Sequence, residues 1–331
     1  MKKNQLGNSD LRITQLTCGS WAIGGWLWGG ADKNMAIRAI KKAIGLGMTS
    51  IDTAPAYGFG LSEELIGGAI KGKRDKVQIL TKYGLRWDLQ QGAFFFNTED
   101  SRHNPVAMYR YSGKESIIYE CEQSLKRLKT DYIDLYQIHW HDKTTPAQET
   151  MEAVHSLISS GKVRFAGVCN YSAELLDEAR KYLPLCSDQV PYSMVKRDIE
   201  SELVPYCLKN KVGILAYSPL QRGILTGKVT PGYTFNKGDS RVETPYYQPE
   251  NIKRINDFLS SIKPVAENRG ITLSQLVINW TLLQPGIAAA LVGARSPGQV
   301  EENVKAAEFR LSDEEIKMIN NQLSRLVLLQ K

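Results

Sequence analysis

A chain of 331 residues, 42% hydrophobic and 23% charged, has the composition of an ordinary globular protein and buries its core without disulfide or metal staples. Its net charge of +7 is spread along the chain, and the densest run, Lys71 to Lys76, contains Asp75 and reads as a solvated loop, so no nucleic-acid patch is indicated. Five cysteines without a CxxC pair argue against a disulfide framework or zinc ribbon and for a reducing compartment, and with neither a membrane-length apolar run nor a signal-like start the chain reads as cytoplasmic.

Residues 1–13 carry a Gly7-Asn8 turn between apolar ends and read as a hairpin. Eight apolar or β-branched runs follow: Ile13–Trp21, Thr49–Tyr57, Val77–Gly84, Tyr132–Trp140, Arg164–Asn170, Ser187–Tyr192, Val212–Pro219 and Ala288–Ala294. Several are continuously apolar, as parallel strands buried on both faces are. Between them lie segments with helical spacing, at Asn34–Leu46, Ser116–Leu128, Gln148–Ile158, from Ser172 onward, Asp198–Leu208, Ile252–Asn268, Leu273–Leu283 and Pro297–Ala307. Strands alternating evenly with helices predict an α/β fold, a (β/α)8 TIM barrel, as one domain over 1–331 with a C-terminal tail at 308–331; an open doubly wound sheet is the alternative. Two long connections, 85–113 and 221–250, follow strands. In a barrel both lie on the C-terminal face, where long loops shape a site.

Chemistry in such barrels sits where the strands end. The second run delivers Asp52 and Tyr57, the third Lys82, the fourth His139, and the later ones Asn170, Gln189, Tyr217 and Arg295. A phenol alone is a weak acid; an adjacent ammonium stabilises its anion, and a carboxylate keeps that ammonium charged. A neutral imidazole can orient a carbonyl oxygen. Together the four suit protonation of an oxygen while hydride arrives at carbon. Each residue alone has an ordinary structural role as well: Asp52 can simply pair with Lys82, and His139 can be a satisfied core histidine.

Several segments resemble the aldo-keto reductases, in particular the bacterial branch of general-stress and inositol-cluster reductases. These are Ile51-Asp-Thr-Ala-Pro-Ala-Tyr-Gly58, Thr81-Lys82, Ile138-His139-Trp140, Ile214-Leu-Ala-Tyr-Ser-Pro-Leu220 and Gly293-Ala-Arg-Ser-Pro-Gly-Gln-Val-Glu-Glu-Asn303. The resemblance implies an oxidoreductase that interconverts a carbonyl, possibly sugar-derived, and an alcohol. Tyr57 would donate the proton, Lys82 would tune it, Asp52 would hold Lys82, and His139 would orient the carbonyl. Tyr217 would stack on a nicotinamide whose carboxamide meets Asn170 and Gln189. Ser218, Leu220, Gln221 and Gly223 would wrap the pyrophosphate. Arg295 would meet the adenosine 2′-phosphate, with Gln299, Glu302 and Asn303 around the adenine, and Ser20, Trp21, Asp52 and Gly293 would complete the cofactor site. A guanidinium at Arg295 favours NADPH while admitting NADH.

Substrate contacts are expected from Trp21, Tyr57, Trp87, His139, Trp140 and His141. His141 stands where this branch usually carries proline, and if the strand continues it faces the same side as His139. Two other readings stay open: a nicotinamide-binding regulatory subunit with little turnover, and a metal hydrolase using His139, His141 and Asp142. The second leaves Tyr57, Lys82 and Tyr217 unexplained, so no metal is expected. The small-molecule carbonyl is the only partner expected, and the sequence gives no oligomeric state.

Overall fold

The computed structural model describes every residue except 29, 31, 236–238, 330 and 331. Part of the expected 221–250 loop and the last residues of the 308–331 tail therefore lie outside the described residues. Strands β1 (Lys3–Gln5) and β2 (Arg12–Thr14) pair antiparallel as the N-terminal hairpin. The barrel opens with β3 (Leu16–Gly19), β4 (Ser50–Asp52) and β5 (Gln78–Tyr83). The chain then leaves it for β6 (Leu85–Arg86), β7 (Ala93–Glu99) and β8 (Pro105–Arg110), a separate antiparallel sheet in the order β6-β8-β7. Five more parallel strands complete the barrel: β9 (Ile133–Ile138), β10 (Val163–Cys169), β11 (Ser187–Pro191), β12 (Gly213–Tyr217) and β13 (Ile287–Gly293), the last pairing with β3. The eight expected strands are thus present and closed, and the open sheet is excluded. The expected runs overreach where the chain leaves the ladder for a turn or bend, as at Tyr57 and Asn170.

Side chains two apart on a strand face the same way. Leu80, Leu135, Leu215 and Leu291 therefore fill the barrel together, capped from below by Leu6, Leu11 and Ile13 of the hairpin. One layer higher, the same alternation brings Lys82 and Gln137 inward on neighbouring strands. The interior thus changes from apolar to polar toward the C-terminal mouth.

Three helices differ from expectation. Leu61–Ala69 was not legible because Gly60, Gly67 and Gly68 weaken its helical signature. Gly67 is needed there: a Cβ would sit 2.6 Å from the Arg127 carbonyl of the next helix. The expected helix over 198–208 is broken into a short 3-10 turn (Asp198–Glu200) and Leu203–Asn210, which places Pro205 in a first turn, where proline is tolerated. Asp313–Leu323, read as tail, is a helix with a capping box between Ser312 and Glu315. No helix among the described residues is long and apolar enough to cross a membrane.

Candidate active site

Tyr57 lies in the turn between β4 and the Leu61–Ala69 helix. Gly58 follows it with φ +66°, and a Cβ there would stand 2.3 Å from the Gly24 carbonyl. Gly24 in turn has no room for a Cβ, which would meet the Tyr57 backbone at 2.7 Å. Backbone thus packs on backbone, fixing the Tyr57 loop against the short Trp21–Gly24 helix. Hydroxyls reinforce the joint: Ser62 Oγ lies 2.9 Å from Thr53 Oγ1 and donates to Ser20 Oγ at 2.7 Å.

Beneath this loop Lys82 is completely buried. Its Nζ donates to Asp52 Oδ1 at 2.7 Å and to the Thr53 carbonyl at 2.8 Å, and stands 5.0 Å from the Tyr57 ring centre. Gln189 Nε2 occupies the other Asp52 oxygen at 2.7 Å. Burial by itself pulls the Lys82 ammonium down, but Asp52 and then Tyr57 outweigh it and hold the group above its ordinary value. The Tyr57 phenol is pushed up to about 12 by burial, with Lys82 working against that rise. The expected effect of Lys82 therefore has the expected sign, but desolvation is larger. His139 is held well below its ordinary value, first by burial and then by Lys82, so its imidazole is neutral. Its ring lies 5.8 Å from Tyr57, nearly perpendicular at 79°.

These groups open onto a cleft of about 700 Å³ across the C-terminal mouth. Trp21 runs near-parallel to Tyr57 at 6.3 Å. Asn170, at φ +60°, joins two strands by donating to the His139 carbonyl at 3.1 Å and accepting from Tyr217 Oη at 3.0 Å. Non-glycine residues in this left-handed region are uncommon and cluster at functional sites. The loop after β12 carries three more, Ser218, Gln221 and Arg222. Farther along, Gln299 Oε1 accepts from the Arg295 amide at 2.8 Å, and Arg295 Nη1 donates to the Trp28 carbonyl at 3.3 Å. Asn303 donates to the Gly293 carbonyl at 3.2 Å. Ser20, Leu220, Gly223 and Glu302 also line the cleft.

The structure thus gathers the expected residues around one cleft, with Lys82 behind the wall and two exceptions. Trp87 packs edge-on against Phe59 at 5.7 Å, and His141 stands edge-on to Tyr171 at 5.7 Å; neither lines the cleft. Asp142 is engaged by the Ser112 amide and by Thr144 and Thr145, and no group of three or more potential metal ligands occurs among the described residues.

Arg222 is a cleft residue that sequence reasoning passed over, although both its neighbours were singled out. Its guanidinium lies 4.8 Å over Trp21 and 5.7 Å over Trp28. Asp239 on the same loop is bonded to Arg241 at 2.6 Å, and burial pulls Arg222 below its ordinary value. Arg222 Nε and the indole nitrogens of Trp21 and Trp28 are buried donors with no hydrogen-bond partner among the described residues. Buried unpaired donors around a guanidinium that forms no salt bridge shown among the described residues suit a phosphate-bearing group.

A closed parallel barrel with a buried phenol, ammonium and carboxylate at its C-terminal mouth, beside a long cleft, has the layout of a barrel oxidoreductase. A sequence model described as the Aldo/keto reductase family matches residues 15–323. The chain is 40% identical over 330 residues to the aldo-keto reductase YhdN of Bacillus subtilis (strain 168), covering 99% of this chain and 95% of that protein. It is 37% identical over 319 residues to the NADH-specific methylglyoxal reductase of Escherichia coli (strain K12), covering 95% of each. The solved structure of the glycerol dehydrogenase AKR11B4 from Gluconobacter oxydans matches with a TM-score of 0.88 at 37% identity, over 98% of this chain and 96% of that one. This chain belongs to the aldo/keto reductase family.

Proposed function

We propose that the protein is an enzyme that reduces a small-molecule carbonyl to an alcohol, and runs the reverse oxidation, with NADPH preferred over NADH and Tyr57 as the general acid. The observation that carries this reading is the burial of Lys82 between Asp52 Oδ1 at 2.7 Å and the Tyr57 ring at 5.0 Å. A fully buried ammonium is costly to keep unless its charge is used or paired. Here it is paired by Asp52 and faces the phenol.

The nicotinamide cofactor, when bound, supplies hydride to the carbonyl carbon. Tyr57 Oη gives its proton to the carbonyl oxygen, and Lys82 stabilises the phenolate left behind. Neutral His139 offers a ring N–H to the same oxygen and turns the carbonyl toward the cofactor face. Because the phenol's pKa lies well above neutrality, Tyr57 stays protonated and ready as an acid. Asn170 and Gln189 would hold the carboxamide of the cofactor, and Tyr217 would stack on its ring. The loop from Ser218 to Gly223 would hold the pyrophosphate, with Arg222 offering positive charge to it. Arg295 would meet the 2′-phosphate, and Gln299, Glu302 and Asn303 would hold the adenine. The similar reductase of E. coli is NADH-specific, and Arg295 is the residue on which a preference for NADPH would rest here.

The test is titration of the purified protein with NADPH and with NADH, read by quenching of tryptophan fluorescence, followed by turnover on a panel of aldehydes and ketones. Tighter NADPH binding that Arg295→Ala reduces, together with carbonyl turnover, supports the proposal. Failure of both cofactors to bind ends it.

A further inference from the structure

The C-terminal tail reaches back to the cleft through one buried amide. Asn251, in the first turn of the Pro249–Asn268 helix, is only 1% exposed. Its Nδ2 donates to the Leu329 carbonyl at 3.0 Å and to the Pro245 carbonyl at 2.8 Å, and its Oδ1 accepts from the Leu329 amide at 2.9 Å. Both its N–H groups and its oxygen are therefore used, two of the three bonds pairing it with the Leu329 backbone. Arg254 donates to the Val327 carbonyl at 2.9 Å, and Leu326 and Leu328 pack on the buried cluster that holds Ile252 and Ile255. The third Asn251 bond grips the 3-10 turn Pro245–Tyr247. From that turn the buried Tyr247 Oη lies 3.0 Å from the Gln221 carbonyl and 2.9 Å from the Arg222 carbonyl, sharing one proton between them. Gln221 and Arg222 line the cleft at φ +46° and +55°, strained backbone that persists only where its surroundings hold it. Arg241 Nη1 adds a second support to the Arg222 carbonyl at 3.2 Å.

We propose that the tail is a strap for the cofactor loop, and that Asn251 is the positioning residue that carries its hold through Pro245 and Tyr247 to Gln221 and Arg222. The inference rests on the reading above that the loop from Ser218 to Gly223 takes the pyrophosphate. A loop kept in its binding shape needs little ordering when the ligand arrives, and releases it slowly. Cutting the strap lets the loop populate other shapes, and affinity falls by the fraction of time it spends in them.

The experiment measures NADPH Kd and release rate by tryptophan quenching, beside Tm, for the wild type, Asn251→Ala, Tyr247→Phe and the double variant. Asn251→Ala is expected to raise the Kd about tenfold through faster release, while the carbonyl KM at saturating NADPH is unchanged. A merely structural role would lower Tm and leave the Kd of the folded protein where it was. Tyr247→Phe is expected to raise the Kd similarly, and the double variant no further than the larger single effect, because both cut one chain of contacts. Should Asn251→Ala not fold, Leu329→Pro, which removes the tail amide bonded to Asn251 Oδ1, is read the same way with a smaller rise. The strap is overturned by folded variants that bind and release NADPH as the wild type does, or by single effects that multiply in the double variant. Either result leaves the reading of the loop standing. A wild type that binds neither NADPH nor NADH removes that reading and this one together.

Discussion

Gln189 Nε2 reaches across the barrel to Asp52 Oδ2 at 2.7 Å, joining a residue assigned to the cofactor to the pair that holds Lys82. The cofactor side and the proton-donor side of the site therefore share one buried carboxylate. Replacing Gln189 by Leu leaves that carboxylate short of a donor. A hydrogen bond to a charged group contributes about 1.5–3 kcal/mol, so Gln189→Leu is expected to lower kcat by about tenfold or more as well as to weaken cofactor binding. Steady-state kinetics with separate cofactor and carbonyl titrations check this; an effect on cofactor KM alone would separate the two sides.

The pH profile of reduction follows from the two neutral groups. His139 is held uncharged by burial and Lys82, so no limb from its titration is expected between mildly acidic and neutral pH. Tyr57, pushed up to about 12, loses its proton only at strongly alkaline pH. Reduction, which needs the phenol, is therefore expected to hold level through neutrality and fall on the alkaline side, while alcohol oxidation, which needs the phenolate, rises there. Rates measured in both directions across pH test the signs.

Glu120 gives a stability prediction close to the site. Its carboxylate accepts from the Gly84 amide at 3.1 Å, just beyond Lys82, and burial raises it to about 8. A carboxyl whose folded pKa is raised binds its proton more tightly when folded. Its contribution is fully present below the ordinary carboxylate range and is lost as pH climbs through about 8. Tm is expected to decline over that window, and Glu120→Gln is expected to flatten the decline.

Gly58 is the backbone support of Tyr57. Gly58→Ala places a methyl 2.3 Å from the Gly24 carbonyl at φ +66°. About 2–4 kcal/mol of stability is expected to be lost, with turnover falling further than the remaining folded fraction explains. Denaturant unfolding beside kinetics measures both.

The barrel was legible because its parallel strands are apolar on both faces, and Asp52, Tyr57, Lys82 and His139 stood out as candidates because each closes a strand or its following turn. What stayed hidden depends on pairing between distant residues. The β6–β8–β7 sheet was read as a long loop: Phe94-Phe-Phe-Asn does not alternate, and β7 shifts register between Phe94 and Phe96. Phe95 and Phe96 thus gave no sign of which ring faces the cleft. Arg222 was passed over because only the folded loop stacks it on Trp21 and Trp28. His141 was expected near the substrate by continuing the strand, but β9 ends at Ile138 and the chain turns His141 toward Tyr171.

In the proposed reaction Tyr57 supplies the proton while Lys82 and Asp52 sustain it. The most direct measurement is turnover by Tyr57→Phe in a protein shown to bind NADPH as the wild type does. Loss of turnover by about two to four powers of ten, with cofactor binding intact, is the result expected when a positioned general acid is removed. Turnover near the wild-type rate in that variant would contradict the account, because the buried Asp52–Lys82 pair would then serve some purpose other than this phenol.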